Sequence, residues 1–379
     1  LTFYVAPQSV GIWGQANMVQ GAENSGSKIA IFEAWSKIKL ADNWNIKAGR
    51  QVISLDDERI FGELDWAQGG RTHDALSINF IRNKFELRSF FAFNQNYKML
   101  YGNNLSNTTG SLYSTSDALP YKWMQTLWFN IPITDNSKLT LLGTNLGFQN
   151  ALTTTKDTAT HFSQTFGGNY FYKNDRIDWN ITGYYQTGKN NAGVNTQAFL
   201  AAAAIGYTFD KKTTIGLGTD YVSGNDVGKT LTENKAFNPY FHTGHKFYGA
   251  MDYYFVGNPH KGAGLSDNYI KFAHKLPNTT LQIVFHQFFT PNNITDVGYN
   301  YSKNLGQECD VTVTYKINKF ASIVGGYSFY LSNNTTAFLK GNIATNTTTQ
   351  SIIDSKDIAY QQWFWLSINV SPTMLISNF

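Results

Sequence analysis

The chain of 379 residues has little of what usually stabilises a soluble protein of its length. Its single cysteine, Cys309, excludes a disulfide scaffold and is expected to pack as a small apolar side chain. Charged residues make up only 15%, against about 25% in ordinary soluble domains. No run approaches the roughly 20 apolar residues of a membrane-spanning helix, and the longest candidate, 198–206, is about half that length. The sequence therefore excludes a helical membrane protein.

Aromatic residues are abundant, at 16%, and this load excludes a disordered chain. Tyrosine, phenylalanine, tryptophan, threonine and valine favour strands, whereas clusters of asparagine, glycine and serine favour turns. The net charge of +4 is too small to indicate a nucleic-acid partner. Together these features are typical of a transmembrane β-barrel, in which alternate side chains face lipid and a polar lumen.

Hydrophobic residues recur at every second position over segments of about 10 to 13 residues. For example, Leu281, Ile283 and Phe285 alternate with Gln282 and His286. Very short connections alternate strictly with long ones, which is the pattern of periplasmic turns and extracellular loops. The long connections lie near 54–72, 96–119, 151–160, 189–195, 225–267, 291–304 and 332–357.

This pattern predicts an all-β fold, a transmembrane antiparallel up-and-down β-barrel of about 16 strands with long extracellular loops. We expect residues 1–379 to form one barrel domain with both ends on the periplasmic side. The first residue, Leu1, follows no signal-peptide pattern, so we expect a mature or trimmed chain. A lost N-terminal hairpin would raise the strand number to 18.

Three segments resemble the alginate-export porin family of bacterial outer membranes, in the form found in the Bacteroidota. The first comprises GRQ at 49–51, DERIFG at 57–62 and DWAQGGRTHDA at 65–75. The second comprises TGHKFYG at 243–249 and MDY at 251–253, and the third is NLGQE at 304–308. The resemblance implies a monomeric barrel of 16 to 18 strands whose narrow, arginine-lined pore passes an anionic polysaccharide.

Strand phase places several charged side chains in the lumen, because a charge on the lipid face costs roughly 2–4 kcal/mol near the midplane. Leu76, Ile78 and Phe80 are expected to face lipid, which turns Arg71 and His73 inward. The same argument turns Glu86, Arg88, Lys271 and Glu308 inward. With the resemblance added, the candidate pore-lining residues are Arg50, Arg59, Arg71, His73, Glu86, Arg88, Lys271 and Glu308.

Two interpretations of the arginines remain open. They form an electropositive constriction that binds carboxylates bidentately, or they form internal salt bridges that brace the wall. The acidic partners for such bracing are Glu33, Asp56, Asp57, Glu58, Asp65 and Glu86. Arg50 is ambiguous, because the alternation of Trp44, Ile46 and Ala48 places it towards lipid, whereas the resemblance places it in the pore.

Metal and catalytic chemistry have weak sequence support. The run of Asp56, Asp57 and Glu58 offers a possible Ca²⁺ site but lacks the spacing of a calcium loop. His242 and His245 are three residues apart, yet no compact set of four ligands is evident. No nucleophile elbow or zinc-protease helix is present, so we expect no enzyme and no cofactor.

The leading hypothesis is an outer-membrane channel of a Gram-negative bacterium for diffusion or export of anionic solutes, above all acidic oligo- or polysaccharide. The alternative is a structural or gating barrel subunit of a larger outer-membrane complex. Expected partners are the lipid bilayer, lipopolysaccharide, the anionic solute and, under the alternative, other outer-membrane proteins. Aromatic residues near strand ends should ring the membrane interfaces, namely Trp44, Trp128, Tyr170, Tyr172, Tyr207 and Phe209.

Overall fold

The computed structural model describes residues 1–11, 28–64, 66–67, 69–94, 121–150, 159–254, 260–346, 348–350, 352–353 and 360–372. Its first ten strands are β1 (Thr2–Val10), β2 (Lys28–Ala41), β3 (Trp44–Gln51), β4 (His73–Arg82), β5 (Phe85–Phe93), β6 (Trp123–Thr134), β7 (Ser137–Asn150), β8 (Ala159–Lys173), β9 (Ile177–Lys189) and β10 (Asn195–Phe209). The other elements are β11 (Thr213–Val222), β12 (Leu265–Lys275), β13 (Thr279–Phe289), β14 (Ile294–Asp296), β15 (Tyr299–Tyr301), β16 (Asn304–Lys316), β17 (Ala321–Leu331), α1 (Asn334–Leu339), β18 (Ala344–Thr345), β19 (Ile352–Ile353) and β20 (Tyr360–Val370).

Sixteen of these strands form one antiparallel sheet in chain order, from β1 through β13 and then β16, β17 and β20. β14 with β15 and β18 with β19 form two small hairpins within long connections. Short turns join the strands at one end of the sheet and long loops join them at the other, so the predicted up-and-down architecture is confirmed. In the part of the chain that is described, no helix is long and apolar enough to cross a membrane.

Alternation of burial along the strands separates an apolar outer face from an inner face. In β10, Ala198, Leu200 and Ala202 are buried, whereas Phe199 and Ile205 between or beyond them are 45% and 53% exposed. A large apolar side chain that is half exposed on every second position is what a lipid-facing strand requires. The inner face carries small and polar side chains together with the loops that pack against it.

The outward orientation predicted for the interfacial aromatic residues is wrong for Trp128. Its side chain is 6% exposed and its indole N–H donates to Asp56 at 3.0 Å, inside the barrel. Trp44, Tyr207 and Phe209 are 41%, 38% and 46% exposed and lie on the outer face. Tyr170 and Tyr172 also share the outer phase, where both stack on Trp179.

The strands β1 and β20 are the two edges of the described sheet. Phe3 and Phe364 on these edges are 73% and 69% exposed, against 53% for Ile205 on β10. A hairpin between these edges would add two strands and preserve the antiparallel alternation. The larger number of 18 strands therefore stays a prediction.

Candidate functional site

Two long loops fold back into the lumen and meet there. The loop 52–72 lies beside residues 236–254, which we call the crossing segment. Their backbones pair: the N–H groups of Gly62 and Thr243 donate to the carbonyls of Phe241 and Glu58 at 2.7 and 3.1 Å. The paired loops carry Ile53, Ile60 and Phe61 into one buried cluster with the inner faces of β4–β7, β9 and β10.

The far end of the crossing segment belongs to a second buried cluster. Tyr248 and Tyr254 pack there with Phe288 of β13, Tyr330 of β17 and helix α1. The crossing segment therefore spans the lumen from the β4 side to the β16–β17 side. Because it is anchored on opposite walls, it acts as a plug that narrows the channel.

Arg59 anchors the plug through a buried ion pair. Its guanidinium donates to both carboxylate oxygens of Asp220 on β11, at 2.7 and 2.9 Å, and to Asp57 at 2.8 Å. The side chain is only 4% exposed and lies 4.1 Å from the ring centre of Phe247. Burial alone would lower the pKa of Arg59, but Asp220 and Asp57 raise it well above its ordinary value. This geometry braces two loops against the wall.

Arg71 and His73 hold the plug on the β4 side. Arg71 donates to the carbonyls of His242, at 2.8 Å, and of Phe241, so it binds the backbone of the crossing segment. His73 is buried, lies 2.9 Å from the hydroxyl of Tyr121 through its Nδ1, and meets the ring of Phe241 edge-on. Both residues lie on the inner side, and their contacts are with the loop.

Glu308 and Asp310 hold the plug on the β16 side. Glu308 is fully buried and accepts the N–H of Met251 at 2.8 Å, while Asp310 accepts the N–H of Ala250 at 3.1 Å. At Gly249, φ is +86°, and an added Cβ would lie 2.6 Å from the Glu308 carboxylate. Only glycine fits this close approach of backbone and carboxylate.

Acid should loosen the plug through His242. Its Nδ1 accepts the N–H of Gly244 at 3.0 Å, and burial, followed by repulsion from Arg71, lowers its pKa to about 3. The unfolded loop binds a proton below about pH 6.5, so stability is lost as pH falls from there towards 3, by about 2 kcal/mol at pH 5. The protection factors of residues 241–244, corrected for the intrinsic exchange rate at each pH, should therefore fall by about 30-fold between pH 7 and 5. His242→Asn keeps an acceptor without the titration and should flatten this dependence; equal slopes would contradict it.

Arg50 lies on the outer face. This is the side that the alternation predicts, whereas the resemblance places Arg50 in the pore. It pairs with Asp74 at 2.9 Å, and both share a face with the lipid-facing Leu76. The register of β2 with β3 passes Gly49 without a shift, so no bulge turns Arg50 inward. The pore position expected for Arg50 is therefore corrected by the structure.

Arg88, Glu86 and Lys271 lie on the inner face, on the turn-side half of the strands. Arg88 donates to Glu86 at 3.0 Å and lies over the ring of Trp128, 5.2 Å from its centre. Its side chain remains 37% exposed. Lys271 shares the inner face of β12 with the buried Asp267. Arg88 therefore keeps solvent contact, in contrast to the buried Arg59.

Sequence reasoning overlooked Lys47 and Lys138. Lys47 lies between outward residues of β3, pairs in register with Lys37 of β2 and has its Nζ 4.3 Å from the ring centre of Trp35. Lys138 shares the inner phase of β7 with the buried Thr140. The outward phase of Trp44, Ile46 and Ala48 was the signal that could have identified Lys47.

The three consecutive acidic residues that suggested a calcium site each bind a different partner. Asp56 accepts from Trp128 at 3.0 Å, Asp57 binds Arg59, and Glu58 lies 3.2 Å from Lys246. The three carboxylates therefore do not converge on one ligand. Among the described residues, no group of three or more acidic, histidine or cysteine side chains has metal-binding geometry. Asp65 lies outside the described residues.

A 16-strand antiparallel meander with an apolar outer face and loops folded into its lumen defines an outer-membrane β-barrel porin. The alginate export family matches residues 15–346, and the chain belongs to that family. It is a channel for solutes, rather than an enzyme, in the outer membrane of a Gram-negative bacterium. No curated protein matches it.

Solved structures show the same fold at low identity. The outer-membrane protein OprD of Pseudomonas aeruginosa is 13% identical, with a TM-score of 0.54 over 90% of this chain and 78% of that chain. The outer-membrane protein OpdK of P. aeruginosa is 9% identical, with a TM-score of 0.56 over 96% and 87%. OccAB2 of Acinetobacter baumannii is 12% identical, with a TM-score of 0.52 over 93% and 81%.

Proposed function

We propose that this channel passes anionic solutes, with acidic oligo- or polysaccharide as the favoured class, in a single barrel domain of residues 1–379. The family supports a route for a polyanion, and the inner wall supplies the charge. Lipopolysaccharide is the lipid expected around the outer rim. In this proposal Arg88 lines the path, whereas Arg59 and Arg71 set its width by holding the plug.

The observation that carries the proposal is the pairing of Lys37 directly opposite Lys47 on the inner face. Like charges directly opposite each other destabilise a sheet, so the pair of lysines lowers the stability of the barrel. Attraction of anions into the lumen would account for its presence. Lys37 and Arg88 both repel the charge of Lys47, which Glu33 attracts. A partly exposed cluster of cations in a low-dielectric lumen raises the local concentration of anions.

Neutralising this cluster should shift ion selectivity towards cations. In the triple variant Lys37→Gln, Lys47→Gln and Arg88→Gln, we expect the anion-to-cation permeability ratio to fall by about threefold or more, since focused fields change local ion concentrations by about tenfold or more. The measurement is the reversal potential in planar bilayers under a salt gradient. Raising the ionic strength should weaken the effect.

The matched control removes an equal number of positive charges from exposed turns, with Lys211→Gln, Lys212→Gln and Lys319→Gln. This control should leave selectivity within experimental error of the parent. Equal shifts in both variants would assign selectivity to net charge alone. An unchanged ratio in a folded triple variant would remove the cluster from the path.

The alternative, a structural or gating subunit of a larger complex, is favoured by one feature: two loops pair inside the lumen and pack on its walls. A permanently occluded barrel would show no open-channel conductance in the parent protein. A plug that moves would instead show conductance that rises when its anchors are removed. The same bilayer recordings therefore separate the two functions.

A further inference from the structure

Part of the inner wall carries aromatic rings that lie outside the two buried clusters. Among the described residues, no buried member of either cluster lies in β1, β2 or β20. On the inner faces of these strands lie Tyr4, Trp35, Trp363 and Trp365, as the register places Trp363 opposite the buried Ser328. An exposed aromatic ring is expected on the lipid side, whereas in a watery lumen it leaves apolar surface unburied.

The first aromatic group lies midway along the wall. The rings of Tyr4 and Trp35 stack with 5.1 Å between their centres and 20° between their planes. Tyr4 remains 44% exposed. The Lys47 ammonium lies 4.3 Å from the Trp35 ring centre, and Trp35 donates its indole N–H to Glu33 at 3.2 Å. The exposed Tyr4 ring, supported by Trp35, and the Lys47 ammonium therefore lie together on the inner face.

The second group lies near the loop end of the wall, beside the crossing segment. Trp66 stacks on His245 at 4.8 Å, and His245 meets Trp363 edge-on at 5.9 Å. Trp66 and Trp363 are 49% and 40% exposed. Asp252 lies 3.1 Å from His245 and holds the imidazole in place. The plug thus contributes a ring to the same aromatic wall.

We propose that these two groups are stacking subsites for the sugar rings of an acidic saccharide, with the first subsite, at Tyr4 and Trp35, also binding its carboxylate through Lys47. The faces of an aromatic ring are negative, and the C–H bonds on the flat face of a pyranose are weakly positive, so the two surfaces attract while burying apolar area. A charge-assisted hydrogen bond from an ammonium to a carboxylate adds preference for uronic acids. This inference rests on the proposed function and adds the residues that would bind the saccharide.

The test is saccharide block of ion current through the purified channel in planar bilayers. The probes are a hexasaccharide of uronic acid and a neutral glucan hexasaccharide. Trp35→Ala and Trp363→Ala should each raise the dissociation constant for both probes by about three- to tenfold, the range expected for one lost ring contact. Lys47→Gln should weaken block by the uronate and leave the neutral probe within about twofold.

The matched control is Trp123→Ala, since Trp123 is 41% exposed on the outer face and cannot meet a solute in the lumen. It should leave both dissociation constants unchanged. Trp66→Ala changes a loop rather than a strand, and it should reproduce the loss at the second subsite, at Trp66 and Trp363, even where a strand variant folds poorly. Trp363→Tyr keeps a ring and should restore most of the block.

Unchanged block in folded Trp35→Ala and Trp363→Ala variants would overturn the subsites. The same loss in Trp123→Ala would also overturn them, because it would mark a general effect on the barrel. A parent channel that is anion-selective but blocked by neither saccharide would reject this inference and leave anion passage standing. A parent channel without anion selectivity that still binds both sugars through these rings would reject the proposed charge mechanism alone.

Discussion

Replacing Arg59 with methionine should release the plug and raise the conductance of the channel. The substitution leaves Asp220 and Asp57 buried without their cation, and breaking such a pair destabilises by about 3–5 kcal/mol. The lost free energy belongs to the loops rather than to the sheet ladder. We therefore expect hydrogen exchange to accelerate in residues 236–254 while the strands keep their protection.

Two further variants sharpen this expectation. Arg82→Met removes an exposed cation at the turn between β4 and β5 and should change neither conductance nor exchange. Arg59→Met combined with Asp220→Leu removes both members of the principal pair, so it should recover part of the lost protection. If the single variant left exchange of the crossing segment unchanged, the anchoring role of Arg59 would be wrong.

The sheet was predictable because each of its strands carries its own signal. Period-two alternation and the alternating turn and loop lengths depend only on residues that are close in sequence. Glu86, Arg88 and Glu308 therefore point inward as expected. Trp128 departs from expectation because its partner, Asp56, lies 72 residues earlier in a loop.

The roles of the arginines could not be predicted for the same reason. Arg59 meets a carboxylate 161 residues away, and Arg71 meets a carbonyl 171 residues away. Strand phase places a side chain inside the barrel, but it cannot say whether a loop returns to cover it. Arg88 lies on a strand half that the plug does not reach, so it keeps solvent contact. The path of the loops inside the barrel therefore decides whether an arginine braces the wall or lines the channel.

For Lys47, in contrast, the local sequence was sufficient to predict the direction of the side chain. Its neighbours at 44, 46 and 48 face lipid, so its inward direction follows from alternation alone. The contribution of Lys47 to a charged cluster depends on strand register, because only pairing with β2 brings it opposite Lys37. Register between strands is set by the whole hairpin, and it converts two ordinary lysines into a charged cluster.

Replacing Gly249 with alanine should displace the plug from β16 even though it adds a single methyl group. The backbone there has φ of +86°, which a side chain disfavours by about 1 kcal/mol, and the new Cβ would lie 2.6 Å from the buried carboxylate of Glu308. Glu308 cannot retreat without losing the N–H of Met251. We expect a loss of plug stability of about 2–4 kcal/mol, the cost of strain and overpacking together.

Gly341 provides the control for backbone strain alone. Its φ is +79°, and an added Cβ would meet nothing within 4 Å, so Gly341→Ala should cost only about 1 kcal/mol. The measurement is hydrogen exchange at Ala250 and Met251 together with single-channel conductance. Faster exchange and larger openings in Gly249→Ala, with little change in Gly341→Ala, would place the effect in the contact with Glu308. Equal effects in the two variants would instead reduce it to the left-handed backbone, and the tight anchor on β16 would have to be abandoned.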